Sequence, residues 1–140
     1  MGTCDLDAPD AAETPSVAFA FRTGEVWAID TTILTYDPGL LVGDIERLYS
    51  TRLEDYGRFL GAIGVPPPYR WISGIADVKG RLLKIPVSPQ ATSPFFPGPE
   101  CLAEKIIEEG TYDGKQTPGS ALANFFDAIY NECASARPKR

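Results

Sequence analysis

The 140-residue sequence predicts an α+β fold, a two-layer sandwich of two amphipathic helices on an antiparallel sheet of four to five strands. Three observations predict it. The segments follow the order hairpin, helix, hairpin, strand, helix, so strands and helices do not alternate one for one. Two stretches carry apolar residues at three- and four-residue steps. The remaining apolar runs are short and punctuated by Gly, Pro or Asp, as strands are.

Residues 1–16 hold Asp5, Asp7, Asp10 and Glu13 with no basic residue, and predict an acidic flexible tail. Residues 17–136 predict one α+β domain, and residues 137–140 a short basic tail. "VAFAFRTGEVWAID" predicts a β-hairpin with a two-residue turn at Thr23-Gly24, which sets Ala20 opposite Trp27 and Ala18 opposite Ile29. Neither face of that hairpin is polar, so it is expected to be central or to meet another surface.

The first helix is predicted within residues 37–64, with Leu41, Ile45, Leu48, Tyr56, Leu60 and Ile63 as its stripe and Leu53 and Phe59 beside it. Gly57 and Gly61 each cost such a helix about 1 kcal/mol relative to Ala, which predicts close packing against the sheet. Gly64 predicts the C-terminal cap, and Pro66, Pro67 and Pro68 prevent continuation. These prolines and Tyr69 also spell the P-P-x-Y pattern of a groove-binding ligand. Flanked by a capped helix and a strand, they are expected to join two elements instead.

"YRWISGIADVKGRLLKIPV" predicts a second hairpin turning within Asp77–Gly80, and residues 86–99, with five prolines, predict a long loop. Residues 100–109 fit a strand or a helix. Thr117-Pro118 predicts a capped helix start. The apolar face of that helix comprises Ala121, Leu122, Phe125, Phe126, Ile129, Tyr130 and Cys133.

Of the formal charge of −6, the acidic tail accounts for four units, leaving a nearly neutral body. Residues 58–84 are basic and residues 100–113 acidic, which predicts that the two segments neutralise each other across a sheet. The chain has no histidine, which removes Ser-His-Asp and Cys-His catalysis within it. It has no phosphate-binding glycine loop, and three widely spaced cysteines make no zinc motif. No catalytic, cofactor-binding or metal-binding residue is therefore expected, and no cofactor. The odd number of cysteines and the lack of an apolar leader or membrane-length run predict a cytoplasmic protein with reduced thiols and no membrane partner.

Two function classes lead, and a third, an enzyme using only carboxylates, would need two or more of them converging in one apolar pocket. The first is a non-enzymatic regulatory, interaction or assembly module, with a protein partner or a homo-oligomer formed through the apolar hairpin and Trp27. The second is a nucleic-acid-binding accessory domain in which Arg70, Arg81 and Lys84 meet phosphates and Trp27, Tyr69, Trp71, Phe95 and Phe96 stack on bases. Strand alternation weighs against the second, because Arg70 and Trp71 are sequence neighbours and point to opposite faces.

Three stretches, "FRTGEVWAIDTTIL", "DIERLYSTRLEDYGRFLGAIGVPPPYRWISGIADVKGRLLKI" and "LANFFDAIYNECASARP", together resemble a known region. It follows the AlbA-like (Schlafen-type) DNA-binding domain in some bacterial ATP-binding and transcriptional-regulator-like proteins. The matching positions are Ile45-Glu46, Gly64-Val65, Pro67, Val78-Lys79-Gly80, Phe126-Asp127 and Ile129-Tyr130-Asn131. The resemblance covers about residues 17–138, without the DNA-binding domain itself. It implies an accessory module for sensing, assembly or partner contact in a bacterial cytosol.

Overall fold

The computed structural model describes residues 16–31, 40–86 and 95–133. Most of the expected acidic tail, the basic tail, Cys4 and residues 87–94 of the expected loop lie outside the described residues. In chain order the elements are β1 (Ser16–Ala20), β2 (Val26–Asp30), β3 (Leu40–Leu41), α1 (Val42–Ala62), β4 (Tyr69–Ala76) and β5 (Leu82–Pro86). They continue with β6 (Phe95–Glu100), β7 (Lys105–Tyr112), α2 (Pro118–Ala121) and α3 (Ala123–Glu132).

The fold is α+β, but its strands do not form one antiparallel sheet of four to five. Among the described residues they form three ladders: β1 with β2, β4 with β7, and β3-β5-β6 with β5 in the middle. The correction centres on the Asp77–Gly80 corner. Instead of folding β5 back onto β4, the corner diverts the chain into another ladder. Val78 is fully buried, and its N–H bonds the carbonyl of Glu104. Asp77 and Gly80 both have positive φ, at 61° and 82°. The Arg81 guanidinium donates to the Asp77 carbonyl at 2.7 Å and locks the bend.

β4 pairs instead with β7 in antiparallel register, from Tyr69 opposite Tyr112 to Ala76 opposite Lys105. Residues 105–112 are thus strand, although Glu and Lys favour helix; long-range pairing overrides local preference. Part of the expected loop is also strand, β6. Pro97 and Pro99 are tolerated there because β6 is the edge of its ladder.

α1 buries Val42, Ile45 and Leu60, with Tyr49 and Leu53 packed on the core. The buried stripe thus runs through Tyr49, and Leu48 is only half-buried. Ile63 lies beyond the helix end and is exposed. Gly64, at φ +89°, ends the helix as expected. The Val65 N–H reaches the Leu60 carbonyl at 2.9 Å and the Gly64 N–H the Gly61 carbonyl at 3.2 Å, the paired bonds of a Schellman cap. The Pro67–Pro68 peptide is cis, and the Tyr69 hydroxyl donates to the Val65 carbonyl at 2.8 Å. "PPPY" is therefore built into the joint between α1 and β4.

A Cβ at Gly57 would lie 3.1 Å from the Tyr112 ring, so the helix does approach the strands closely. Thr117 caps α2, its hydroxyl accepting from the Ser120 N–H, with Pro118 at the first turn. All seven positions of the apolar face expected for the closing helix are buried. They meet the inner face of the β4–β7 ribbon, where Trp71, Ile75, Ile106 and Tyr112 are buried. A fully buried Phe, Leu or Ile contributes roughly 1.5–3 kcal/mol, so this layer is the main source of stability. Cys101 and Cys133, expected as reduced thiols, form a disulfide that ties the segment before β7 to the end of α3.

Candidate functional site

The first hairpin turns through one more residue than a two-residue turn requires. The Gly24 N–H bonds the Phe21 carbonyl at 3.1 Å, and the Phe21 N–H bonds the Glu25 carbonyl at 2.9 Å. Gly24 takes φ +89°, the left-handed position of a three-residue hairpin loop. The register therefore shifts by one from expectation, to Ala20 opposite Val26, Phe19 opposite Trp27 and Val17 opposite Ile29.

That shift sorts the side chains. Val17, Phe19, Trp27 and Ile29 share one face, while Ala18, Ala20, Val26 and Ala28 share the other. Trp27 is 64% exposed and Ile29 67% exposed. The Trp27 indole N–H donates to the Glu25 carboxylate at 3.4 Å, leaving its ring open to solvent. The turn itself lies over the end of α1, where a Cβ on Gly24 would come 3.1 Å from Val65.

The other residues singled out in the sequence do not join Trp27. Trp71 is buried on the inner face of β4, against Gly110, and its Nε1 has no hydrogen-bond partner. Its ring is not available to stack on a base. Arg70 is on the outer face and pairs with Glu109 across the ladder at 2.7 Å. This is one pair of the kind expected between the basic and acidic segments, whereas Arg58 and Arg81 pair with Glu54, Asp55 and Asp77, outside the acidic segment. Arg81 is only 18% exposed in its side chain and braces the corner through Asp77. Lys84 lies in β5, with its side chain outside the described residues, as are those of Phe95 and Phe96. Arg58 pairs within α1 with Glu54 and Asp55.

The outer face of the β4–β7 ribbon carries two residues that sequence reasoning passed over, Ile72 and Ile107, 66% and 56% exposed. The signal was present: Ile72 shares its parity with Arg70, the polar side of "YRWISGIA". The cysteine pairing had no such signal, since spacing does not specify partners.

Burial, and secondarily the Asp30 carboxylate, push the Tyr49 hydroxyl up to about 12. Burial likewise raises Tyr56, opposed by Arg52 and reinforced to a lesser degree by Asp55 and Asp30. Asp113 is held below the usual carboxylate range by the N–H groups of Gln116 and Lys115. No group of three metal-ligating side chains occurs among the described residues. No helix among them is long and apolar enough to cross a membrane. No family model, curated protein or solved structure matches the chain.

Proposed function

We propose that the chain is a non-enzymatic interaction or assembly module that seats a protein partner on the outer face of its first hairpin. One observation carries this reading: Trp27 and Ile29 stand side by side in solvent, over Phe19 and Val17 on the paired strand. Large exposed aromatic and aliphatic groups on one rigid face are the usual anchors of protein interfaces. A two-stranded hairpin also gains little stability from its own ladder, so a partner covering this face would serve the hairpin too.

The resemblance to the region after a Schlafen-type DNA-binding domain supports an accessory role beside other bacterial proteins. A cytosolic location goes with that resemblance, and the Cys101–Cys133 bond weighs against it, because reducing cytosols keep most thiols free. Thiol alkylation of protein taken rapidly from native cells distinguishes the two locations.

The test of function is a Trp27→Ser, Ile29→Ser double variant. Affinity purification from native cells is followed by titration of the recovered protein against wild type and variant. The expected result is a stoichiometric partner whose affinity falls at least tenfold in the variant at unchanged melting temperature, about 1.4 kcal/mol or more. Equal affinity for both proteins would overturn the reading.

A further inference from the structure

Asp113 and Gly114 form the single Asp-Gly pair in the sequence, which has no Asn-Gly pair. They lie in the connection between β7 and α2, and both are exposed. An aspartate followed by glycine is open to one intrachain reaction above all, attack of the next peptide nitrogen on the side-chain carboxyl. Glycine has no Cβ to shield that nitrogen.

The structure brings the parts of this reaction together. The Asp113 carboxylate accepts through Oδ1 from the N–H groups of Lys115 at 2.8 Å and Gln116 at 3.0 Å. The side chain is thereby turned forward along the chain, alongside the Gly114 peptide. The Gly114 N–H has no hydrogen-bond partner among the described residues. Gly114 takes φ +78°, and a Cβ built on it would meet nothing within 4 Å, so no neighbour covers the pair.

The other described aspartates lack this combination. Asp44, Asp55 and Asp127 sit within helices and precede residues that carry side chains. Asp30 precedes Thr31 and Asp77 precedes Val78, both β-branched and crowded at the following nitrogen. The Val78 N–H is also engaged by the Glu104 carbonyl.

We propose that Asp113–Gly114 is a modification site built into the fold, at which the folded protein converts aspartate to isoaspartate with water as the only other reactant. The carboxylate first takes a proton from solvent. The Gly114 nitrogen then bonds to Asp113 Cγ, and the nitrogen's proton leaves with the carboxyl OH as water, closing a succinimide ring. Water adds back to that ring at either carbonyl. Opening at Cγ returns the original aspartate. Opening at the Asp113 main-chain carbonyl breaks its bond to the Gly114 nitrogen and leaves the chain running through Cγ. One water is lost and one regained, so the net change is an isomerisation.

Isoaspartate adds one carbon to the main chain and removes it from the side chain. The carboxylate then no longer reaches Lys115 and Gln116 as it does here, and the approach to the Thr117 cap lengthens. None of the hairpin residues takes part, so the site stands independently of the function proposed for that face.

The test holds the full chain in neutral buffer well below its melting temperature, in parallel with the same chain unfolded in urea. An endoproteinase that cuts before aspartate but not before isoaspartate locates the product, and the succinimide shows as the loss of one water from the same peptide. The expected result is isoaspartate accumulating at residue 113 of the folded protein ahead of every other aspartate. Gly114→Asn, which adds a shielding side chain yet tolerates positive φ, is expected to slow it roughly fivefold or more. Asp113→Ser keeps an oxygen acceptor, cannot close the ring, and is expected to abolish it. Melting temperatures confirm that each variant is folded. Isoaspartate at residue 113 in the urea-unfolded chain but not in the folded one would overturn the proposal. So would earlier conversion at another aspartate, or a rate unchanged by Gly114→Asn.

Discussion

The indole of Trp71 rests on the bare backbone of Gly110, its direct partner across the β4–β7 ladder. A Cβ placed on Gly110 would lie 2.6 Å from Cζ2 and 2.8 Å from Cε2 of that ring. Gly110→Ala must therefore move a large ring within a packed layer, and is expected to cost roughly 1–3 kcal/mol. Urea unfolding measures the loss. Trp71→Phe in the Gly110→Ala background is expected to recover part of it, and no recovery would show that the ring is not the obstacle.

Trp71 also buries an indole N–H that has no hydrogen-bond partner. Such a donor forfeits about 1–3 kcal/mol of solvation, which Phe at this position would not. Trp71→Phe is expected to be mild and Trp71→Ala severe, the latter by roughly 3–5 kcal/mol for the cavity it leaves. Equal losses for the two variants in chemical denaturation would contradict this assignment.

The hydroxyl of Tyr49 is held protonated by burial while it donates to the Gly74 carbonyl. Its folded pKa, about 12, lies above the ordinary tyrosine value of 10.0. Its contribution is thus fully present below pH 10 and disappears as pH rises toward 12. Wild-type stability should fall through that window more steeply than that of Tyr49→Phe. Parallel curves for the two proteins would refute the linkage.

Asp113 has the opposite sign. Its carboxylate accepts from the Lys115 and Gln116 N–H groups at 2.8 and 3.0 Å, which lowers its pKa from 3.8. The stabilisation is present above the ordinary carboxylate range and is lost as pH falls through the lowered value. Asp113→Asn is expected to flatten this acid limb, read as the melting temperature between pH 5 and the folded pKa.

The disulfide closes a sequence separation of 32 residues. In the chain-entropy account a loop of that size stabilises the fold by about 4 kcal/mol. A Cys101→Ala, Cys133→Ala variant is expected to melt at a lower temperature than the oxidised protein. Its melting should be insensitive to reductant, whereas that of wild type should fall.

What the sequence made legible was mostly local. The face running from Ala121 to Cys133 is buried in full because a helix fixes which residues share a side. Gly64 and Thr117 announce caps whose bonds span only a few residues. Pairing across distance was not legible in the same way. Nothing in "KIIEEGTY" names "YRWISGIA" as its partner, and the Asp77–Gly80 turn looks the same whether the next strand returns or departs. The hairpin register missed by one because Gly24 takes a left-handed conformation, which adds a residue to the loop. Trp27 was singled out as a candidate contact. Its exposure could not be read from a hairpin that is apolar on both sides, and Trp71, equally conspicuous in the sequence, went to the core.

The Cys101–Cys133 bond also changes the topology of the chain under proteolysis. β7, α2 and α3 lie between its two ends, and with them Ile106, Tyr112, Phe125, Phe126 and Ile129 of the core. That part of the molecule is a covalent ring. A single peptide cut inside it, for example after Lys115 in the exposed β7–α2 connection, opens the ring without releasing a fragment. The nicked protein keeps both pieces at the high effective concentration of an intramolecular pair, and a reducing gel alone would show that it had been cut.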